Sequence, residues 1–249
     1  MHKPCAVIPV YNHEHAIPAV VRALLGQGLP CVLVDDASQA SCAAVLDRLA
    51  QGEGVSLVRL ARNQGKGGAV MAGLHEAYRL GFTHALQVDA DGQHDLEDVA
   101  RFLEASASRP DELICGYPRY DASVPKGRLY ARYLTHVWVW INTLSLGIRD
   151  SMCGFRVYPL AAVLPVIKSA RLGKRMDFDP EVLVRLHWRG QPMHWLHTRV
   201  HYPADGVSHF RPFEDNVLIS RMHARLFFGM VLRAPSILMR RVQQRRLAA

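Results

Sequence analysis

The sequence has no framework of paired cysteines. Its five, Cys5, Cys31, Cys42, Cys115 and Cys153, are odd in number, and no two are spaced as C-x-x-C. Cys5, Cys31 and Cys115 fall inside apolar runs that read as strands. The pattern argues against a disulfide or zinc scaffold and for buried, reduced thiols in a cytosolic protein. Long hydrophobic runs are scarce as well. "HVWVWINTLSLGI" (His136 to Ile148) falls well short of the roughly 20 residues a spanning helix needs. "LFFGMVLRAPSILM" (Leu226 to Met239) is broken by Arg233 and Pro235, so neither stretch is expected to span a bilayer. The start, "MHKPCAVIPV", lacks the apolar core and cleavage site of a secretory signal. There is no internal repeat and no low-complexity segment. Two familiar ion and phosphate loops are missing too. A calcium loop counted from Asp89 needs Gly at its sixth place and Glu at its twelfth, which hold His94 and Ala100. "RNQGKGGAVMAG" (Arg62 to Gly73) is not a P-loop, and as a dinucleotide fingerprint it fails at Val70.

What is present is an ordinary globular composition. The chain has 249 residues, 49% hydrophobic and 21% charged, enough for one large domain or a domain with an appendage. A formal net charge of +8 points to an anionic partner: nucleic acid, a membrane surface or a phosphorylated substrate. The excess is concentrated at one end. From Arg211 onward eight arginines meet only Glu214 and Asp215, so this segment carries +6 of the +8.

The first half alternates. Short apolar runs at Cys5–Val10, Cys31–Asp36, Val55–Leu60, His84–Asp91 and Glu112–Tyr117 are separated by helical spacing over Ile17–Gln27, Ser41–Ala50, Gly67–Leu80 and Leu96–Ser106. Gly28 and Gly81 stand where helices end, and Asp95 where one begins. Such repetition predicts a mostly parallel sheet covered on both faces, with ligands at the carboxyl ends of the strands. Asp35, Asp36, Asp89 and Asp91 then share one rim. After Tyr117 the pattern changes: a long aromatic and basic helix over Lys126–Gly147, a Gly-containing turn "DSMCGFRVYP", a short helix near Glu181–His187, a strand at Met193–Val200, and a basic C-terminal helix.

In "LQVDADGQHD" (Leu86 to Asp95) two carboxylates sit on alternate residues, and an extended chain aims them at one spot. They are either solvated turn residues or the holders of a hard divalent cation shared with a substrate phosphate, with Gln93 adding an oxygen. "VDDAS" (Val34 to Ser38) either caps the next helix or accepts from a ribose or base. The Gly65–Gly67 turn, with Arg62 and Lys66 beside it, is either a surface loop or a backbone cradle for an anion or base.

Taken in order, "IPVYN", "DDAS", "NQGKGGA", "DADGQH", "CGFR" and "DFDPE" resemble the family 2 inverting glycosyltransferases. The similarity is closest to the branch of dolichol- and polyprenyl-phosphate sugar synthases, and it runs from Ala6 to about Phe213. It implies a GT-A fold, Rossmann-like with a mostly parallel sheet, over residues 1–213. Residues 1–117 form its nucleotide-binding half and 118–213 its acceptor-binding half, followed by a basic amphipathic helical tail over 214–249. It also implies a UDP- or GDP-sugar donor and Mg²⁺ or Mn²⁺. Pro9, Tyr11, Asn12, Asp35, Asp36, Lys66 and Ala90 would line the donor site. Asp89, Asp91 and Gln93 would hold the metal, and Gly154, Phe155 and Arg156 would face the sugar and acceptor. A loop carrying His209 and Arg211 would close over the diphosphate. The chain departs from the family in having His13-Glu14 after "YN", and His209 where a Lys or Arg is common.

The resemblance implies in-line attack with inversion. A hydroxyl acceptor would require a general base, for which Asp177, Asp179 and Glu181 are the candidates and Asp179 the choice; otherwise Asp179 is a helix cap and Glu181 a first-turn helix residue after Pro180. A lipid-phosphate acceptor would need no base. The catalytic set is thus Asp91, Asp179 and Arg156. The tail either packs on the body or lies on an anionic bilayer surface. The second alternative makes the protein a cytoplasmic enzyme peripherally associated with the inner membrane, acting on a lipid-linked acceptor. A sugar-phosphate nucleotidyltransferase would carry a Gly-rich loop after the first strand, where "YNHEHAIP" has no glycine. A silent nucleotide-sugar sensor would not need Asp89, Asp91 and Arg156 together. No nucleic-acid recognition module is found.

Overall fold

A computed structural model of the chain describes residues 1–119, 126–199 and 211–248. Seven strands, β1 (Pro4–Val10), β2 (Cys31–Asp35), β3 (Val55–Arg59), β4 (His84–Gln87), β5 (Leu113–Arg119), β6 (Arg156–Pro159) and β7 (Met193–Arg199), form one sheet in the order β3-β2-β1-β4-β6-β5-β7. All adjacent pairs are parallel except those of β6, which runs antiparallel between β4 and β5. Every residue of β2 is buried, as expected of a strand covered on both faces. The pleat divides the core: Cys5 and Val7 of β1 join one apolar cluster, while Ala6, Ile8 and Val10 join the other.

The helices are α1 (Ile17–Gly26), α2 (Ala40–Leu49), α3 (Lys66–Arg79), α4 (Val99–Ser108), α5 (Lys126–Thr143), α6 (Leu160–Ser169), α7 (Phe178–Trp188) and α8 (Pro212–Ala248). Gly28 and Gly81 take positive φ of 72° and 80° after α1 and α3, and Asp95 accepts from the Glu97 amide at the 3₁₀ turn before α4. The chain leaves β1 toward β2 on one side and places β4 on the other. Their carboxyl ends therefore flank the point where strand order reverses, the usual ligand crevice of such sheets.

Two expectations are corrected. β4 stops at Gln87 rather than Asp91: the chain turns at Ala90–Gly92, where Gly92 has φ 72°, so Asp89 and Asp91 lie on a turn and not on one face of a strand. The "CGFR" segment is not only a turn, because Arg156 opens the buried strand β6. A charged first residue hides a strand of four. Of the two readings left open for the C-terminal helix, its inner face takes the first, packing on the body. Met222, Leu226, Met230 and Ile237 of α8 belong to the same buried cluster as Val7 of β1 and Leu183 of α7. Arg225 pairs with the buried Glu181 at 2.6 Å.

All five cysteines are free and buried. Burial pushes the thiols of Cys5, Cys31, Cys115 and Cys153 up to about 12, so they are poor nucleophiles. Between α5 and α8, His223 lies 4% exposed with Nδ1 3.2 Å from the Asn142 amide, and burial holds it down at about 4. A histidine lowered from 6.5 contributes stability that is complete above pH 6.5 and lost as pH falls toward 4. Lowering pH across that window is expected to cost about 3 kcal/mol, and His223→Phe should flatten the loss. Denaturant titrations at several pH values measure both slopes.

Candidate active site

Two neighbouring acids close β2, and both are already engaged. Asp35, 1% exposed, accepts from the Ser38 amide at 2.9 Å and from Arg59 Nε at 2.8 Å. Asp36 accepts from the amides of Gln64 and Gly65 at 2.6 and 2.8 Å. Burial raises the Asp36 carboxyl above its ordinary range, although these two amides oppose the shift. Asp36 therefore fixes the Gly-rich turn, and Asp35 fixes its own loop and β3. Gly65 has φ 84°, and a Cβ there would stand 2.7 Å from the Lys174 carbonyl, so the turn requires glycine. At the carboxyl end of the adjacent β1, Pro9 and Tyr11 are half-buried. Asn12, at φ 56°, donates its amide to Ser38 and accepts from the Gln39 amide.

The turn carries Lys66 toward the end of β4 and the start of α7. Its Nζ does not reach toward Asp35 or Asp36; it lies 2.8 Å from Asp89 Oδ2 and 3.2 Å from Asp179 Oδ2. Asp179, 5% exposed in the first turn of α7, also accepts from Gln87 Nε2 at 3.1 Å. Arg156 Nη1 stands 3.7 Å from Asp179 Oδ1. Burial alone would raise the Asp89 carboxyl, but Lys66 and the nearby His94 outweigh it and hold it far below the carboxylate range. Burial would likewise lower the Lys66 ammonium; Asp179 and Asp89 outweigh it and raise it instead.

Arg156, expected to face the sugar, is fully buried. Its guanidinium donates to the Asp179 carbonyl at 2.9 Å, the Ser151 carbonyl at 2.8 Å and the Tyr158 hydroxyl at 3.3 Å. It supports Asp179 and the 151–155 loop from below. That loop is anchored by Asp150, which the sequence reading missed. Asp150 accepts from the amides of Met152 and Cys153 and pairs with Arg132. Burial opposes its charge, but His136 and Arg132 hold it down at about 2. The loop brings Gly154 so near that a Cβ would sit 2.6 Å from Gln87 Nε2, 3.0 Å from Lys66 Nζ and 3.5 Å from Asp89 Oδ1.

Of the other acids, Asp91 is half-buried, and its Oδ1 accepts from the Gln93 amide at 3.0 Å. Ala90 is buried between the two carboxylates in sequence. His94, also missed, packs on Phe155 at 5.0 Å between ring centroids, with Nε2 3.4 Å from Asp89 Oδ2. Asp177 accepts from the Arg175 amide. Glu181 is tied to the Gly173 amide, Arg185 and Arg225, which leaves Asp179 as the one acid of "DFDPE" turned toward Asp89. His209 lies outside the described residues. Arg211 is exposed, and its amide is bound by Asp215, which pairs with Arg175 at 3.1 Å. Arg175 in turn abuts Gly65.

Among the described residues, no three of His, Cys, Asp and Glu converge as a metal cage. The corner nevertheless suits a hard cation that takes its remaining ligands from a diphosphate. Asp89 Oδ1 is buried without a hydrogen-bond partner among the described residues, and Gly154 adds no side chain beside it, where a Cβ would stand 3.5 Å away. A concavity of about 330 Å³ lies elsewhere, lined by Leu144, His187, Trp195, Ile237, Arg240 and Arg241. Its arginines donate to the carbonyls of Trp188 and Leu144 near helix ends, a capping role at the far ends of the strands.

Comparison with known proteins gives this corner a context. The Methanococcus voltae UDP-N-acetylglucosamine–dolichyl-phosphate N-acetylglucosaminyltransferase is 27% identical over 195 residues, 72% of this chain and 77% of that protein. Mouse dolichyl-phosphate beta-glucosyltransferase is 30% identical over 71% of this chain and 60% of its own length. An undecaprenyl-phosphate 4-deoxy-4-formamido-L-arabinose transferase of Pseudomonas aeruginosa is 30% identical over 61% of this chain. The chain spans only 45% of that protein's length. Among solved structures, Mycobacterium tuberculosis glucosyl-3-phosphoglycerate synthase with Mn²⁺ and UDP-glucose superposes with a TM-score of 0.63 at 15% identity, over 92% of this chain and 79% of that one. The shared architecture is the GT-A fold, a mostly parallel sheet flanked by helices. The model of glycosyl transferase family 2 matches residues 5–163, more than half of the chain, and the chain belongs to that family of glycosyltransferases.

Proposed function

We propose that the protein transfers a sugar, with inversion, from a UDP- or GDP-sugar to a lipid-linked acceptor such as polyprenyl phosphate. One observation carries this reading: Asp89, with a bare buried oxygen, stands one lysine away from Asp179 at the crevice where strand order reverses. The names of the relatives support the donor and acceptor classes. A divalent cation held by Asp89, Asp91 and Gln93 would neutralise the charge that develops on the leaving diphosphate. Asn12, Asp36 and the Gly65 turn shape the nucleoside end, while Arg156 holds Asp179 toward the acceptor side. Calorimetric titration with UDP- and GDP-sugars in Mn²⁺ is expected to show one nucleotide class binding; no donor binding at millimolar concentration refutes the reading.

The acceptor's lipid would be met by the outer face of α5 and α8. No helix among the described residues is long and apolar enough to cross a membrane. Yet Leu134, Val137, Trp138 and Ile141 of α5 are exposed, as are Phe228, Leu232, Met239 and Val242 of α8. Exposed Arg221, Arg225, Arg233 and Arg241 lie along the same stretch of α8. An apolar stripe among arginines is the make-up of a helix lying in an anionic interface. Removing everything after Arg221 would take out the core residues Met222, Leu226 and Met230, so point changes on the outer face make the better test. Phe228 and Leu232 are 69% and 82% exposed. Phe228→Asp with Leu232→Asp is expected to weaken binding to anionic vesicles by roughly a hundredfold without lowering Tm, measured by vesicle sedimentation. Undiminished binding refutes the membrane face.

A further inference from the structure

We propose that Lys66 is the resident counter-cation of this corner, sharing itself between Asp89 and Asp179 and yielding Asp89 only when a divalent cation arrives together with a diphosphate. The inference rests on the proposed donor site and assigns Lys66 a part beyond it.

The argument is one of charge and space. Asp89, Asp179, Lys66 and Arg156 carry two charges of each sign, within 2.8 to 3.7 Å of one another along the chain Asp89–Lys66–Asp179–Arg156. The set is neutral as it stands. A divalent cation entering alone would add two positive charges beside an ammonium already on Asp89 Oδ2, and in a partly buried site such repulsion is weakly screened. A diphosphate brings the missing negative charge. Lys66 then swings from Asp89 Oδ2 toward Asp179, a partner it already touches, and toward the diphosphate. Gly154 keeps the path open, because a side chain there would stand within 3.0 Å of Nζ. Lys66 is thus a positioning residue: it bridges Asp89 and Asp179 and offsets their mutual repulsion until the donor is present.

Mn²⁺ binding, followed by the loss of the free-ion electron paramagnetic resonance signal, tests this without turnover. In the parent protein, Mn²⁺ uptake is expected to be weak without UDP and at least tenfold tighter with it. Lys66→Met is expected to tighten UDP-free Mn²⁺ binding at least tenfold, a gain that damage to the fold would not produce. Asp179→Asn, which leaves Lys66 to Asp89 alone, is expected to weaken UDP-dependent Mn²⁺ binding several-fold and tests the idea independently if Lys66→Met does not fold. Folded Lys66→Met with no gain in UDP-free affinity overturns the role of Lys66, as does an unchanged Asp179→Asn. Where GDP is the nucleotide that binds, it replaces UDP in each arm; absence of Mn²⁺ uptake by the parent with either nucleotide overturns the donor-site reading itself, and the inference with it.

Discussion

Asp89→Asn is expected to lower turnover by roughly 10³-fold and to abolish UDP-dependent Mn²⁺ binding. The residue carries two loads. Its Oδ1 is the buried oxygen with no partner among the described residues, and its Oδ2 takes Lys66 at 2.8 Å. Neutralising it removes the strongest cation ligand of the corner and leaves Lys66 with Asp179 only. Because Asp89 and Lys66 are 24% and 19% exposed, the structural cost is expected near the low end for a buried pair, about 2–3 kcal/mol. For a chain of this size that is a fall in Tm of roughly 4–12 °C. Asp91→Asn separates the two loads. Asp91 is half-buried and, among the described residues, its carboxylate caps its own turn at Gln93, so its loss should leave Tm within a degree or two while turnover drops about a hundredfold. Turnover, Mn²⁺ uptake and thermal unfolding on the two variants decide the matter. Full activity in Asp91→Asn would remove the second carboxylate from the cation site.

That contrast also marks what the residues disclosed in advance. The parallel strands were legible because a strand buried on both faces must be apolar nearly throughout, as β1 and β2 are. The acids at the rim were legible because carboxylates seldom end buried strands without a task, and the ordered motifs tied them to a family. The partnerships were not legible. Nothing in the sequence says that Lys66 passes over Asp35 and Asp36 to reach Asp89, 23 residues on, because that choice depends on how Asp36 pins the Gly65 turn. Strand β6 was hidden by its leading arginine, whose charge is tolerated only because three oxygens on other residues receive it. Helix α6 was hidden by Pro165, which stands within it. The C-terminal helix was ambiguous because its arginines outnumber its acids; what decides for packing is that Met222, Leu226 and Met230 meet α5 and α7.

Asp179→Asn is the other large effect, and it bears on what the enzyme sugars. The carboxylate faces Lys66 and Arg156 and accepts from Gln87, so neutralising it leaves two cations with Asp89 as their remaining acid. With Arg156 fully buried, the expected cost is about 3–5 kcal/mol, seen as a lower denaturation midpoint at unchanged m-value. The kinetic effect depends on the acceptor. A hydroxyl must surrender its proton, and losing the base that takes it costs 10²–10⁴-fold, together with the acidic limb of the pH–rate profile. A phosphate acceptor is already an anion and asks nothing of a base. Asp179 would have to leave three partners to accept a proton, which favours the second case: a carboxylate held this firmly is better suited to fixing Lys66 and the loop at Gly154 than to shuttling protons. The expected result is therefore a fall in kcat of about tenfold with the shape of the pH–rate profile intact. Loss of the acidic limb in Asp179→Asn would reassign the acceptor to a hydroxyl and Asp179 to general-base catalysis.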